Sequence, residues 1–288
     1  MTAPNIEVDA RVEVAPGVHV VPDPGVLLIP NAGVVVGERA ALVVDTGLGP
    51  VNGERLLRAA RSLAGDRKLY LTLTHFHPEH GFGAQAFAGQ ATILYNAAQA
   101  DELAEKGAGY LEMFRTLDPD VAEALEAVEL IGPDISYAER ATLDLGGLTV
   151  ELVDHGRGHS RGDQVVFVRE RGVLFTGDLV ENRWLPIFPP EGDADGERWL
   201  SVLERLEALG PRIVVPGHGD VGGVELIGEY RDYLRYVRQR VDEIAAEKAF
   251  DGDANDALEA EIAQRYADWQ NHEWIRSAIE GFQRIRGA

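Results

Sequence analysis

The chain has 288 residues, of which 45% are hydrophobic and 26% charged, so it can bury a large core in one or two domains. The 48 acidic residues outnumber the 27 basic ones and give a formal net charge of −21, which speaks against binding to nucleic acid or to anionic membrane surfaces. The chain contains no cysteine, and this excludes disulfides, thiolate metal ligands and a cysteine nucleophile.

The first residues are polar and acidic, without a basic region followed by an apolar run, so we expect no signal peptide. No stretch approaches the about 18 consecutive apolar residues that a membrane span needs. The sequence therefore predicts a cytoplasmic protein with no membrane contact.

Short β-rich runs separated by Pro, Gly and Asn predict an antiparallel meander at the start of the chain. The predicted strands are 11–14, 18–21, 26–29, 33–36 and 41–44. The last strand runs directly into Asp45, which is either a turn residue or part of a site.

A β-α-β alternation follows and predicts helices packed on a sheet. Its predicted parts are a helix over 52–64 stopped by Gly65, a strand through Leu69, Leu71 and Leu73, a helix over 81–87 and a strand over 92–95.

Residues 97–130 have a mostly helical pattern, with a predicted break at 107–109 and a restart at 118–119, where Asp caps and Pro begins a helix. Four residues share an apolar face: Tyr110, Met113, Phe114 and Leu117. Packing against the domain is the favoured interpretation, and a substrate wall is the alternative.

The second half repeats the alternation, with predicted strands at 148–152, 164–168, 173–176 and 212–215 and a helix at 197–209. Beyond residue 220 the pattern is helical and charged. Residues 251–256 resemble a calcium loop but lack its Gly and Glu, so we predict that they form a linker.

We expect a catalytic domain over 1–220, with a helical insertion at about 97–130. A helical extension over 221–288 would pack on the same domain or on a homodimer partner.

Metal-binding side chains follow the predicted strand through Leu73. His75, His77, Glu79 and His80 offer the nitrogen and oxygen ligands that zinc and its first-row neighbours prefer. Other candidates follow later strands, and ligands at separate strand ends on one sheet edge can converge. They are His159, Asp178 and His218. The pattern predicts a metal site.

Five motifs, taken in chain order, resemble those of the metallo-β-lactamase superfamily over roughly residues 10–220. They are Asp45-Thr46-Gly47, His75-x-His77-x-Glu79-His80, Gly158-His159-Ser160-x-Gly162-Asp163, Thr176-Gly177-Asp178 and Pro216-Gly217-His218-Gly219. The resemblance implies an αβ/βα four-layer sandwich with metals at one edge, to which the sequence adds a helical C-terminal extension.

The resemblance also implies a ligand set for one or two Zn²⁺ ions, with iron or manganese as alternatives. One metal would be held by His75, His77 and His159, the other by Glu79, His80 and His218, with Asp178 bridging. Asp45 would support the ligand loop through hydrogen bonds.

Glu79 departs from the family pattern, which usually has Asp at this position. One extra methylene adds about 1.3–1.5 Å of reach, whereas metal–ligand distances are fixed to about 0.2 Å. We therefore expect a weaker second metal site.

By resemblance, a metal-bound hydroxide would attack the carbonyl of an ester, thioester, lactone or β-lactam. Asp178 would orient this hydroxide, and Glu79 or a metal-bound water would shuttle the proton. His155, Trp184 and Tyr110 are candidate pocket residues around a small-molecule substrate; for His155 an ordinary loop position is the favoured interpretation.

Other functions on this fold stay open. A one-iron persulfide dioxygenase and a metal-holding, non-catalytic binding protein are the main alternatives. A di-iron flavoprotein is disfavoured because it would carry a carboxylate in place of His77. A nuclease is disfavoured because neither a large extra domain nor a basic surface is visible.

Overall fold

The protein is described by a computed structural model covering residues 4–189, 193–247 and 252–287. Seven strands form the first sheet in the order β1 to β7, and five form the second in the order β12, β11, β10, β9, β8. The first sheet comprises β1 (Val12–Ala15), β2 (Val18–Val21), β3 (Ala32–Val36), β4 (Ala40–Val44), β5 (Lys68–Thr72), β6 (Thr92–Asn96) and β7 (Ile135–Tyr137). The second comprises β8 (Arg140–Asp144), β9 (Thr149–Asp154), β10 (Gln164–Val168), β11 (Val173–Gly177) and β12 (Ile213–Pro216).

Strand direction changes once in each sheet. Strands β1 to β4 pair antiparallel, whereas β4, β5, β6 and β7 pair parallel. In the second sheet only β11 and β12 are parallel. The parallel strands place several carboxyl ends side by side, which is where the candidate site lies.

The described helices cover the outer faces of the sheets. They are α1 (Gly49–Ala64), α2 (Pro78–Gly81), α3 (Ala97–Phe114), α4 (Pro119–Ala124), α5 (Gly196–Ala208), α6 (Glu225–Glu247), α7 (Gly252–Arg265) and α8 (Ile275–Gly287). None of these helices combines the length and the hydropathy needed to cross a membrane.

Three hydrophobic clusters separate four layers. Val35 and Leu42 of the first sheet meet Val166 and Phe175 of the second sheet between the two sheets. The outer face of the first sheet packs on α1 and α3, and the outer face of the second packs on α5, α6, α7 and α8. The αβ/βα four-layer sandwich with a helical C-terminal part is therefore confirmed.

Residues 26–29 form a turn instead of the predicted strand. Ile29 N donates to Val26 O, and Leu28 has φ of +67°, a left-handed conformation that a strand does not contain. Strand β2 pairs directly with β3, so residues 26–29 lie in the loop of a hairpin in spite of their β-rich composition.

Three helical predictions also need correction. Helix α3 runs unbroken through 107–109, where Gly107 lies against Leu130. The predicted helix over 81–87 is divided between α2 and a separate 3₁₀ turn at Ala84–Phe87. Residues 252–256 begin α7 instead of forming a linker, because Ala254, Leu258 and Ile262 give that helix a buried face; Asp251 lies outside the described residues.

Candidate metal centre

The site lies where strands of both sheets end on one edge. Asp45 follows β4, and the loop 75–80 follows the neighbouring parallel strand β5. Asp178 follows β11 and His218 follows the parallel strand β12, while His159 lies in the loop between β9 and β10. Separate strand ends thus bring these side chains together.

The first ligand set consists of His75, His77, His159 and Asp178, all buried. His77 Nδ1 lies 3.0 Å from both His75 Nε2 and His159 Nε2. Three nitrogens bound to one zinc at about 2.0–2.1 Å would be about 3.3 Å apart in tetrahedral geometry. The three ring nitrogens therefore have close to the spacing of ligands around one ion.

The second ligand set consists of Glu79, His80, His218 and, again, Asp178. Asp178 Oδ2 lies 3.6 Å from His75 Nε2 and 3.7 Å from His159 Nε2. Asp178 Oδ1 lies 3.2 Å from His80 Nε2 and 3.9 Å from His218 Nε2. Each oxygen of this carboxylate faces a different set, which is the arrangement that a bridging ligand requires.

Buried polar atoms in the second set lack hydrogen-bond partners. They include Glu79 Oε2, His80 Nε2 and Asp178 Oδ1, of which the last two lie 3.2 Å apart without hydrogen-bond geometry. The fourth such atom, His218 Nδ1, faces Asp23. An unpaired buried polar atom is costly, and a cation between the first three atoms would satisfy them together. The donors are nitrogen and oxygen only, which suits zinc and is also compatible with iron or manganese. The residues fit divalent metal ions.

Burial sets the protonation of the histidines in the first set. It lowers the pKa of His75 and His77 well below 6.5, and neighbouring imidazoles lower both further. Burial also lowers the pKa of His159 to about 4. A neutral imidazole has a free lone pair for a metal, so this set is ready to coordinate.

The second set has the opposite electrostatics. Burial acts to lower the pKa of His80, but the Asp178 and Asp45 carboxylates outweigh it and raise that pKa well above 6.5. Burial is likewise outweighed at His218, whose pKa is raised by Asp178 and Asp23. For Glu79, burial raises the pKa of the carboxyl above 4.5.

Asp45 holds the loop that carries the clustered ligands. Its Oδ1 accepts a hydrogen bond from Thr74 N at 2.7 Å, and its Oδ2 lies 2.9 Å from His80 Nδ1. The residue is 1% exposed and has φ of +64°. This carboxylate ties the start of the loop to one of its ligands.

Asp23 has the same relation to His218 and was missed in the sequence. Asp23 Oδ2 lies 3.6 Å from His218 Nδ1 and accepts a hydrogen bond from Gly219 N at 2.8 Å. Asn31 Nδ2 donates to the carbonyls of Pro216 and Gly219. In the sequence Asp23 stands between two prolines and is indistinguishable from a turn residue.

Gly217 is required by the position of the Asp178 carboxylate. A Cβ at this residue would lie 1.8 Å from Asp178 Oδ1. The glycine in the Pro216-Gly217-His218 motif therefore leaves space for the neighbouring ligand.

A cavity of about 290 Å³ opens directly on the ligands. Its apolar lining comes from the loop 25–29, from α3, from the loop after β11 and from the C-terminal part: Leu27, Leu28, Tyr110, Met113, Phe114, Leu117, Trp184, Ile187, Pro189 and Trp274. Its polar lining consists of His77, Glu79, His159, Asp178, Glu181, His218 and Glu273. No lysine or arginine is among the described residues that line it.

Two predicted pocket residues lie on ligand histidines. The Tyr110 ring stacks on His77 with centroids 5.2 Å apart, and Trp184 stacks on His218 at 4.8 Å. The apolar face of α3 is thus both packing surface and cavity wall: Tyr110 and Phe114 are buried, whereas Met113 and Leu117 are 42% and 50% exposed.

His155, the third pocket candidate, lies elsewhere. It lines a separate depression with Arg157, Arg198 and Arg205, and Arg205 donates to its carbonyl. Burial, then the charge of Arg205, lowers the pKa of His155 to about 4. The interpretation of His155 as an ordinary loop residue agrees with this position, because His155 is not among the described residues that line the cavity on the ligands.

The model of the metallo-beta-lactamase superfamily matches residues 25–218 of the chain. A metallo-beta-lactamase type 2 of Bacteroides fragilis is 33% identical over 97 residues, which are 33% of this chain and 39% of that protein. The acyl-coenzyme A thioesterase MBLAC2 of Bos taurus is 29% identical over 206 residues, which are 64% of this chain and 71% of that protein.

Solved structures agree on the fold. A metallo-beta-lactamase from Pontibacter korlensis has a TM-score of 0.64 at 21% identity, covering 80% of this chain and 99% of its own. At this identity the likeness concerns the arrangement of the chain and carries no information on substrate.

Proposed function

The chain belongs to the metallo-beta-lactamase superfamily, and from that premise we propose that it is a metal-dependent hydrolase of esters or thioesters of neutral, apolar acyl groups. The cavity carries this proposal, because its apolar walls lie directly beside both ligand sets. Metal ions held by these residues would polarise the substrate carbonyl and activate water at neutral pH.

The chain's own residues would orient the reactants. Asp178, with one oxygen toward each ligand set, fixes the two sets relative to each other. Glu79 lines the cavity, and its buried Oε2 atom has no hydrogen-bond partner. The Glu79 carboxyl would accept a proton from an attacking water through the oxygen that does not bind a metal, and burial, which raises the pKa of the carboxyl, favours this role.

The charge of the lining narrows the substrate class. A β-lactam or another acyl group with a carboxylate would need a cationic partner when buried, and the described lining has neither lysine nor arginine. The apolar lining, which includes Leu27, Phe114 and Trp274, suits an acyl chain instead. The similarity to a relative named as an acyl-coenzyme A thioesterase supports the same choice.

The second ligand set favours hydrolysis over the one-iron dioxygenase. A single ion in the first set would leave the second set without a metal. The buried atoms of Glu79 and His80 that lack hydrogen bonds would then stay unsatisfied. Zinc is the proposed metal because it suits these donors and supports hydrolysis without redox chemistry.

The test compares acyl groups of equal length that differ in charge. Hexanoyl and adipoyl thioesters, with a lactone and a β-lactam, would be assayed on purified protein whose metals have been measured by elemental analysis. We expect metal-dependent hydrolysis that favours hexanoyl over adipoyl by roughly 10-fold or more, since burying an unpaired carboxylate is costly.

A matched variant tests whether the charge of the cavity lining sets this preference. Leu117→Lys places a cation at the cavity, and should shift the preference toward adipoyl. Absence of metal-dependent hydrolysis, or a wild-type preference for adipoyl, would overturn the proposed function.

A further inference from the structure

Glu181 is a buried carboxyl that neither ligand set uses. It lies three residues after Asp178, is 3% exposed and lines the cavity. It belongs to neither group of potential ligands among the described residues. Its Oε2 atom is buried and has no hydrogen-bond partner.

Neither lysine nor arginine is among the described residues that line the cavity around Glu181. Burial raises the pKa of Glu181 well above 4.5, and the charges of Asp178 and Glu79 raise it further, whereas the Tyr230 hydroxyl and His80 act in the opposite direction. The nearby Tyr230 hydroxyl is itself buried, with its pKa raised by burial and by Glu181. A buried oxygen of this kind is costly unless a ligand completes its hydrogen bonding.

A substrate that fills the cavity can supply the missing group. Whether the carboxyl is protonated or ionised, it retains at least one oxygen that accepts a hydrogen bond. All the other acidic groups in the lining are potential metal ligands except Glu273, which is exposed. Glu181 is therefore the buried acceptor left for the substrate itself.

We infer that Glu181 determines specificity within the proposed acyl hydrolysis, by accepting a hydrogen bond from an N–H or O–H group of the substrate near the scissile carbonyl. This inference rests on the proposed function. The donor has two chemical sources: a hydroxyl on the acyl group, or an amide N–H on the thiol that leaves.

Matched substrates separate these two sources. The hexanoyl thioester of N-acetylcysteamine carries an amide donor in its thiol part, and the hexanoyl thioester of ethanethiol does not. The 3-hydroxyhexanoyl thioester of ethanethiol carries the donor in its acyl part. In at least one of the two arms, we expect wild-type kcat/KM to favour the donor-bearing compound by roughly 5- to 150-fold, the range from an ordinary hydrogen bond to one that a carboxylate accepts.

Three variants then assign the preference. Glu181→Met is apolar and of similar size, and should reduce the preference to less than about 3-fold. Glu181→Gln keeps an acceptor oxygen and should retain most of the preference. Glu273→Met removes an acidic group from the exposed part of the same lining, and should leave the preference between paired substrates unchanged.

A structural role would give a different result. If Glu181→Met lowers kcat/KM equally for donor-bearing and donor-free substrates, or keeps the preference, the inference is overturned. The same holds if the wild-type protein shows no preference in either arm. Thermal unfolding and metal content of each variant check that the fold and the ligand sets persist.

Failure of the proposed function remains distinguishable. The same pairs can be made as unreactive thioethers, with a methylene in place of the carbonyl, and their Kd values measured by calorimetry. If the protein hydrolyses none of the thioesters, the hydrolase proposal fails. A Kd preference for the donor-bearing thioether that Glu181→Met abolishes would still support the role of Glu181, and an unchanged preference would refute it.

Discussion

The two ligand sets share Asp178 but are stabilised in different ways. Apart from Asp178, no described carboxylate pairs with His75, His77 or His159, and these rings pack against other rings. In the second set each histidine has its own outer carboxylate: Asp45 beside His80 and Asp23 beside His218.

The two sets differ in what controls the protonation of their histidines. Burial keeps the first set as neutral donors, whose pKa values lie below the usual range. Charge pairing holds the second set, whose histidine pKa values are raised. The second set therefore depends on residues outside itself, and substitutions of those residues should affect it selectively.

The largest effect is expected for His77→Ala. This change removes the nitrogen that lies 3.0 Å from both of its partners. Losing only an outer partner of a ligand costs about 10- to 100-fold, so losing the ligand should abolish metal retention and reduce turnover by more than about 100-fold.

Elemental analysis after gel filtration and a hydrolysis assay measure this result. His19→Ala serves as the control, because His19 lies on β2 and belongs to neither set. If turnover survives in His77→Ala, the ligand assignment is wrong.

Asp45→Asn should weaken the second site more than the first. Asn keeps the shape of the side chain and tolerates the left-handed backbone at this position, but it removes the charge 2.9 Å from His80 Nδ1. We expect the affinity for the second metal to fall about 10- to 100-fold, as measured by competition with a chromophoric chelator.

Asp23→Asn should act in the same direction with a smaller effect, since its distance to His218 Nδ1 is 3.6 Å. An equal loss of both metals in either variant would contradict the distinction between the sets.

Glu79→Asp tests the weaker second site that the sequence predicts. The shorter side chain restores the usual residue of the family, so the affinity for the second metal should rise by roughly 10-fold. Titration of metal into apoprotein measures the change. Two tightly bound metals per chain in the native protein would refute the prediction.

The smallest effect concerns His155, outside both sets. Its pKa is lowered to about 4 in the folded protein, so the unfolded chain takes up a proton first as the pH falls. The stability contributed by the neutral ring is present above pH 6.5, and is lost progressively as the pH falls toward 4.

His155→Gln should therefore lose less stability than wild type between pH 7 and 5, by on the order of 1–2 kcal/mol. Urea unfolding at several pH values measures the difference. Equal losses in the two proteins would show that His155 has no such role.

Local patterns predicted the parts of the fold that depend on local chemistry. Asp118 caps α4, as its position before Pro119 indicates, and its side chain accepts a hydrogen bond from Asp120 N. The hairpin of β10 and β11 follows from two β-rich runs around a glycine. The continuous helix α3 was missed because Gly107 packs against Leu130, a contact that the local sequence does not reveal.

The sequence by itself determined the ligand candidates, because His75, His77, Glu79 and His80 lie in one short segment after a strand, and the remaining motifs follow other strand ends. Tertiary structure alone decided which residues support or accompany them. Asp23 and His218 are far apart in the chain yet 3.6 Å apart in space, and Glu181 becomes notable only because the folded cavity buries it without a partner. Spacing along the chain encodes strand ends, whereas burial and pairing of charges arise only when both sheets meet.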